Sequence, residues 1–206
     1  MASDPRRGGM TEIGILSFPT LWTPRAYQNS GGKEWSCTLL IPKSDKATLE
    51  SVRKSLMVAF AEVLGQDKAR WLETIAHKDF PIQDGDQPKY AKYEGFAGHY
   101  AIRFKRGEFR KDGTPNDAPN VVDETATTVI DKTKIYAGVL ARVKYFAYAY
   151  DNKGKQGSGV GLTLDGVQRT GDSKPFSTKG HGFEPVAQTG GGGFEAADSG
   201  DASFFG

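Results

Sequence analysis

Residues 135–150 read IYAGVLARVKYFAYAY, and their alternation decides the fold class. Val143, Tyr145, Ala147 and Ala149 form one row; Arg142, Lys144, Phe146, Tyr148 and Tyr150 form the other. A period of two sends successive side chains to opposite faces of an extended chain. The stretch therefore reads as the longest strand, bent at Gly138, with an apolar face and a face that mixes bases with rings. The same period recurs outward from it. In residues 33–41, Trp35, Cys37, Leu39 and Ile41 point one way while Glu34, Ser36 and Thr38 point the other, and Pro42 ends the run. In residues 99–106, Tyr100, Ile102 and Phe104 make a core side with Arg106 at its rim, which leaves Ala101, Arg103 and Lys105 facing outward. Shorter strands are predicted at residues 11–18, stopped by Pro19 and a turn at Trp22-Thr23-Pro24, at Val121-Val122, and at residues 160–167.

One helix interrupts this pattern. Ser44 can cap it and Gly65 can end it, and Leu49, Val52, Leu56, Phe60 and Val63 recur at three- and four-residue spacing as one apolar stripe. A shorter helical piece is predicted over residues 66–76, ahead of the lone His77. Loop signals fall at residues 29–32, 81–98, 111–120 and 152–154. Several short strands with one helix predict a mainly β (α+β) chain, an OB-fold-like small β-barrel with a helical insertion. The pattern alone leaves other small barrels open. The expected organisation is a flexible N-terminus over residues 1–10, one domain over residues 11–170, and a disordered, Gly-rich acidic tail over residues 171–206.

Charge divides the 206 residues. The net charge is +2, yet no Lys or Arg follows Lys179, whereas Glu184, Glu195, Asp198 and Asp201 do. With those four of the 25 acids set aside, 21 acids face 27 bases, so residues 1–179 carry +6. Such a body favours a polyanion, and such a tail favours a basic partner or the body itself. Gly190–Gly193 are consecutive, and the chain ends Phe204-Phe205-Gly206. Phe204 and Phe205 suit an anchor that enters a partner's pocket while Glu195, Asp198 and Asp201 steer it to a basic rim. No apolar run approaches 18 residues, and the first nine residues lack an apolar core, so neither a membrane span nor export is expected. Cys37 is the only cysteine, which excludes an internal disulfide and suits a reducing cytoplasm.

Bases interleaved with rings are the strongest chemical signal. Single-stranded nucleic acid offers phosphates to Lys and Arg, and base faces to flat side chains. Arg142, Lys144, Phe146, Tyr148 and Tyr150 offer both on one strand face. Arg103 and Lys105 extend the basic surface, and Lys89, Tyr90, Lys92 and Tyr93 repeat the combination in a loop. The glycines at 154, 157, 159 and 161 do not form a phosphate-binding loop, because no G-x-x-x-x-G-K-[ST] pattern is present and a strand follows. Catalytic signals are thin. A metal-dependent nuclease would have to use the loop acids Asp84, Asp86 and Asp123, whose spacing does not force them to converge on an ion. A structural or scaffolding protein whose tail docks to a shell is a third reading. No metal, cofactor or small-molecule substrate is expected, and Cys37 reads as an inert core thiol.

Five segments carry a resemblance: Leu16-Ser17-Phe18-Pro19-Thr20-Leu21-Trp22, WSCTLLIPK at 35–43, Pro119-Asn120-Val121-Val122-Asp123, Ile135-Tyr136-Ala137-Gly138 with Arg142-Val143, and GVGLTLDGVQ at 159–168. In their order and spacing the chain resembles the phage single-stranded DNA-binding proteins of the DUF2815 type. The resemblance implies an OB fold, sequence-tolerant binding of single strands, and a role in phage replication or recombination in the host cytoplasm. It implies no particular binding residue. The acidic, aromatic-ended tail is similar to those through which phage and bacterial single-strand binders recruit replication or recombination proteins.

Overall fold

A strand points its backbone N–H and C=O groups sideways, so every strand edge needs a partner or stays exposed. The computed structural model, which describes residues 5–26, 32–65, 80–129, 131–152 and 157–176, meets this demand by closing a ring. The strands are β1 (Gly8–Met10), β2 (Gly14–Ala26), β3 (Lys33–Pro42), β4 (Ile82–Asp84), β5 (His99–Gly107), β6 (Asn120–Val122), β7 (Leu140–Asn152) and β8 (Gly157–Gly171), with one helix, α1 (Lys46–Leu64). Neighbours run β7-β2-β3-β5-β8, and β8 pairs back to β7. The short strands fill the remaining edges. β1 extends the β7 edge that β2 begins, β4 shares an edge of β5 with β8, and β6 continues along β8. The β5–β8 and β6–β8 pairs are parallel and the others antiparallel. This is the OB-like architecture expected, with α1 inserted between the second and third strands of the ring.

The inward rows fill the ring as their alternation requires. Trp35, Cys37, Leu39 and Ile41 of β3 meet Ile102 and Phe104 of β5, Val143, Tyr145 and Ala147 of β7, and Val160, Leu162 and Leu164 of β8. α1 adds Val52, Leu56, Ala59 and Phe60 to this core. Its stripe stops at Phe60, because Val63 is exposed. Asp45, not Ser44, is the N-cap, and its carboxylate accepts from the Thr48 N–H at 3.1 Å. Gly65 closes the helix with φ 86°, a left-handed geometry that glycine adopts without strain.

The strand boundaries differ from expectation for local reasons. β2 does not stop at Pro19 but runs through Pro24 to Ala26. Both prolines fall at register irregularities, between Ser17 and Thr20 and between Thr20 and Arg25, where a missing N–H breaks no ladder bond. At the first irregularity Phe18 takes φ 47°, a costly left-handed conformation for a bulky residue. β7 starts at Leu140, not residue 135; Gly138, at φ 109°, is the turn that leads into it. β8, at 15 residues, is longer than β7, at 13. Expected flexibility through residue 10 meets a strand at Gly8–Met10, paired to Lys144, Tyr145 and Phe146. Past Gly171 the chain stays on the body: Tyr136 donates to the Ser173 carbonyl at 2.9 Å, and the Phe176 N–H donates to Ala137 at 2.8 Å. The predicted helix over 66–76, His77, and the tail from residue 177 lie outside the described residues.

Cys37 is 1% exposed, and burial pushes its thiol well above the usual range. The folded protein should therefore not react with a thiol reagent such as dithionitrobenzoate, and should release one equivalent once unfolded in guanidinium. Stoichiometric reaction under native conditions would contradict the inward face of β3.

Candidate nucleic-acid interface

Ring closure gives each inward row an outward counterpart, and strand register sets which outward residues adjoin. On β2, β3 and β5 the successive rows are Ile15-Leu40-Ala101, Ser17-Thr38-Arg103 and Thr20-Ser36-Lys105. The last row continues, because Lys105 pairs with Thr163 of β8, and Thr163 with Phe146 of β7. Ser36, Lys105, Thr163 and Phe146 thus form one line across four strands. Arg103 ion-pairs with Glu34 at 2.8 Å.

The loop at residues 85–98 covers one end of this face. Lys43 holds it by ion pairs of 2.6 Å to both Asp84 and Asp86, and Asp86 also accepts from the Gly98 N–H at 2.7 Å. These contacts hold both carboxyls below the usual range, the Lys43 hydrogen bond being the largest cause for each. Gly85 has no room for a side chain, since a Cβ there collides with the carbonyl of Phe96. Held this way, the loop stacks rings on the sheet. Phe96 is buried at the centre against Leu40 and Ala101. Tyr90 stacks on it at 4.9 Å, and Tyr93 lies at 5.6 Å. Phe18 reaches the same cluster from β2, edge-on to Tyr93 at 5.0 Å. Lys89 lies 4.9 Å from the Tyr90 ring centroid and Lys92 lies 5.1 Å from that of Tyr93. Partial burial raises the Tyr90 hydroxyl pKa, and the charge of Arg103 partly opposes it.

A second group of rings lies on β7. Tyr148 pairs with Gly161 and Tyr150 with Gly159, and each ring occupies the space that a side chain at its glycine would need. The two rings are 6.4 Å apart and tilted by 35°. Phe146 is covered in part by the Arg7 guanidinium, 4.9 Å from its centroid. Farther along β7, Arg142 Nε donates to Gln168 Oε1 at 2.8 Å and Lys144 pairs with Asp165 at 3.2 Å.

The structure thus gathers Lys89, Tyr90, Lys92, Tyr93 and Arg103 at one side of the outer face and Phe146, Tyr148 and Tyr150 at the other, with Lys105 on the line that leads to Phe146. Arg142 and Lys144 share their strand face but are engaged by β8 side chains. The sequence reading missed Ser36, Thr38 and Thr163, because a small hydroxyl side chain signals nothing until strand register places it between bases and rings. It also missed Phe18, which lies inside a segment already singled out. The tail residues Glu195, Asp198, Asp201, Phe204 and Phe205 lie outside the described residues. The three acids of the nuclease reading have other duties. Lys43 bridges Asp84 and Asp86, while Asp123 accepts from the N–H groups of Thr125 and Thr127, both at 2.9 Å, to cap its own turn. Among the described residues no three His, Cys, Asp or Glu side chains gather as metal ligands.

Comparison with known proteins bears on the fold and the family. "Putative protein p50" of Acyrthosiphon pisum secondary endosymbiont phage 1 is 27% identical over 169 residues, covering 80% of this chain and 84% of that protein. The single-stranded DNA-binding protein from bacteriophage Enc34, solved in complex with ssDNA, superposes with a TM-score of 0.61 at 18% identity, over 85% of this chain and 97% of that one. The single-stranded DNA-binding protein gp2.5 encoded by bacteriophage T7 superposes with a TM-score of 0.55 at 18% identity, over 89% and 96%. The family model built on the ssDNA-binding protein of Enterobacter phage Enc34 matches residues 11–190, nearly the whole length, and the chain belongs to that family.

Proposed function

We propose that the chain binds single-stranded DNA with little sequence preference, through the outer face of β3, β5, β8 and β7 and the loop at residues 85–98. The observation that carries this reading is the outer face itself, where rings and bases stand on both sides of Lys105 in a chain that belongs to a family of ssDNA binders. Lys89, Lys92, Arg103, Lys105, Arg142 and Lys144 take phosphates. Tyr90, Tyr93, Phe146, Tyr148 and Tyr150 take base faces, each stack worth about 1–3 kcal/mol whatever the base. Coating single strands in this way protects them during phage replication or recombination in the cytoplasm of the infected cell. The chain is a binding protein and not an enzyme. Its acidic tail recruits replication or recombination proteins through Phe204 and Phe205. Because it is anionic, it also competes with DNA for the basic face.

Fluorescence anisotropy over a salt series tests this. Labelled oligo-dT should bind more tightly than duplex, with affinity falling as salt rises. Failure to bind any nucleic acid at low salt would sink the single-strand reading and move the scaffolding reading to the front. The double variant Arg103→Gln/Lys105→Gln should flatten the plot of log affinity against log salt by about 1.4, since each single-strand phosphate contact contributes about 0.7. Tyr148→Ala/Tyr150→Ala should weaken binding and leave that slope unchanged.

A chain ending at residue 187 tests the competition. Its affinity for oligo-dT should exceed that of the full chain at low salt and converge with it at high salt. Equal affinities at every salt concentration would remove the tail from the DNA-binding face.

A further inference from the structure

Phe18 has three properties that packing alone does not call for. Its backbone is left-handed, at φ 47°, where a bulky side chain rarely sits. The residue is 49% exposed, on a strand whose neighbours Leu16 and Leu21 are buried. It also stands nearly perpendicular to another exposed ring, Tyr93, at 5.0 Å and 82°. The irregularity between Ser17 and Thr20 is what turns this side chain outward, because it interrupts the alternation that sends Leu16 inward. Phe96, fully buried behind both rings, fixes the pair from below at 5.8 and 5.6 Å.

We infer that Phe18 and Tyr93 form a base-stacking notch, a further contact for single-stranded DNA that takes one unstacked base. The inference rests on the single-strand reading of the outer face. Two planes at right angles suit a flat ligand, which stacks on one ring and presents its edge to the other. Phosphates flanking that base would meet Lys92, which lies over Tyr93, and Arg103, whose charge already reaches the neighbouring Tyr90. A base is preferred to an apolar peptide side chain as occupant because Lys92, over the Tyr93 ring, and Arg103, beside Tyr90, place cations at the border of the notch. Every base has two flat faces, so the notch adds affinity without adding sequence preference.

The experiment uses the full chain and oligo-dT carrying a single 5-iodouracil. Irradiation should crosslink the oligonucleotide to Phe18 or Tyr93, read by mass spectrometry of the digested conjugate. In anisotropy, Phe18→Leu, which keeps an apolar side chain but loses the flat ring, should bind roughly 5–50-fold more weakly with an unchanged salt slope. Phe18→Trp should bind at least as well as the wild type. Phe18→Gly accepts the left-handed backbone without strain, so it should keep its melting temperature while binding as weakly as the leucine variant. Wild-type binding to oligo-dT with all three variants at wild-type affinity, and crosslinks elsewhere only, would overturn the notch and leave the single-strand reading standing. If the wild type does not bind oligo-dT at all, both fall.

Discussion

The structure depends on one strand bonding along both edges. β8 pairs antiparallel with β7 along nearly its whole length, and on its other edge takes β5 and then β6 in parallel. Without that double engagement the remaining strands would form an open sheet with two bare edges, a template for unwanted pairing. With it, five strands close, and each gains an inside and an outside. Alternation that is only a periodicity in the sequence then becomes a division of labour. Leu162 and Leu164 go to the core, while Gly161 and Thr163 face outward, Gly161 beneath the Tyr148 ring.

Closure also explains why the outer face can be polar and still well ordered. The core and ladder bonds carry the stability, so the surface bases need only weak local restraint. Arg103 is paired with Glu34, but the arginine side chain is about half exposed. The open side of that guanidinium is where a phosphate, alike in charge to the carboxylate, would meet the proposed face. Lys144 and Asp165, both well exposed, stand in the same relation. On the proposed face, acids would therefore limit the repulsion among bases without locking those bases away from a strand.

Much of this was legible in the sequence, and the parts that were not share a cause. The inward and outward rows of β3, β5 and β7, the helix stripe up to Phe60 and the core position of Cys37 all follow from period and polarity, which are properties of one segment at a time. The prolines of β2 misled because proline removes one N–H, and whether that matters depends on whether the partner strand needs it there. The N-cap moved by one residue because Ser44 and Asp45 both suit the role and only geometry chooses between them. The outer face was half legible. Its rings and bases stand out by type, whereas Ser36, Thr163 and Phe18 belong to it only through the register of neighbouring strands.

The glycines of β8 bring these points together. Read alone, Gly159 and Gly161 say only that the backbone there is permissive. Across the β7–β8 ladder they are the residues opposite Tyr150 and Tyr148, and the space their missing side chains leave is filled by the two rings. A ring laid over a glycine backbone has one face sheltered and its position set by the ladder. The rings at the other side, Tyr90, Tyr93 and Phe18, are positioned by a loop and lean on the buried Phe96. The proposed face thus holds two sets of rings by independent means, strand register on one side and a loop fastened by Lys43 on the other. A change that loosens the loop acts on one set and leaves the other in place, so binding by the two sides is separable in a way that a single continuous cluster would not allow.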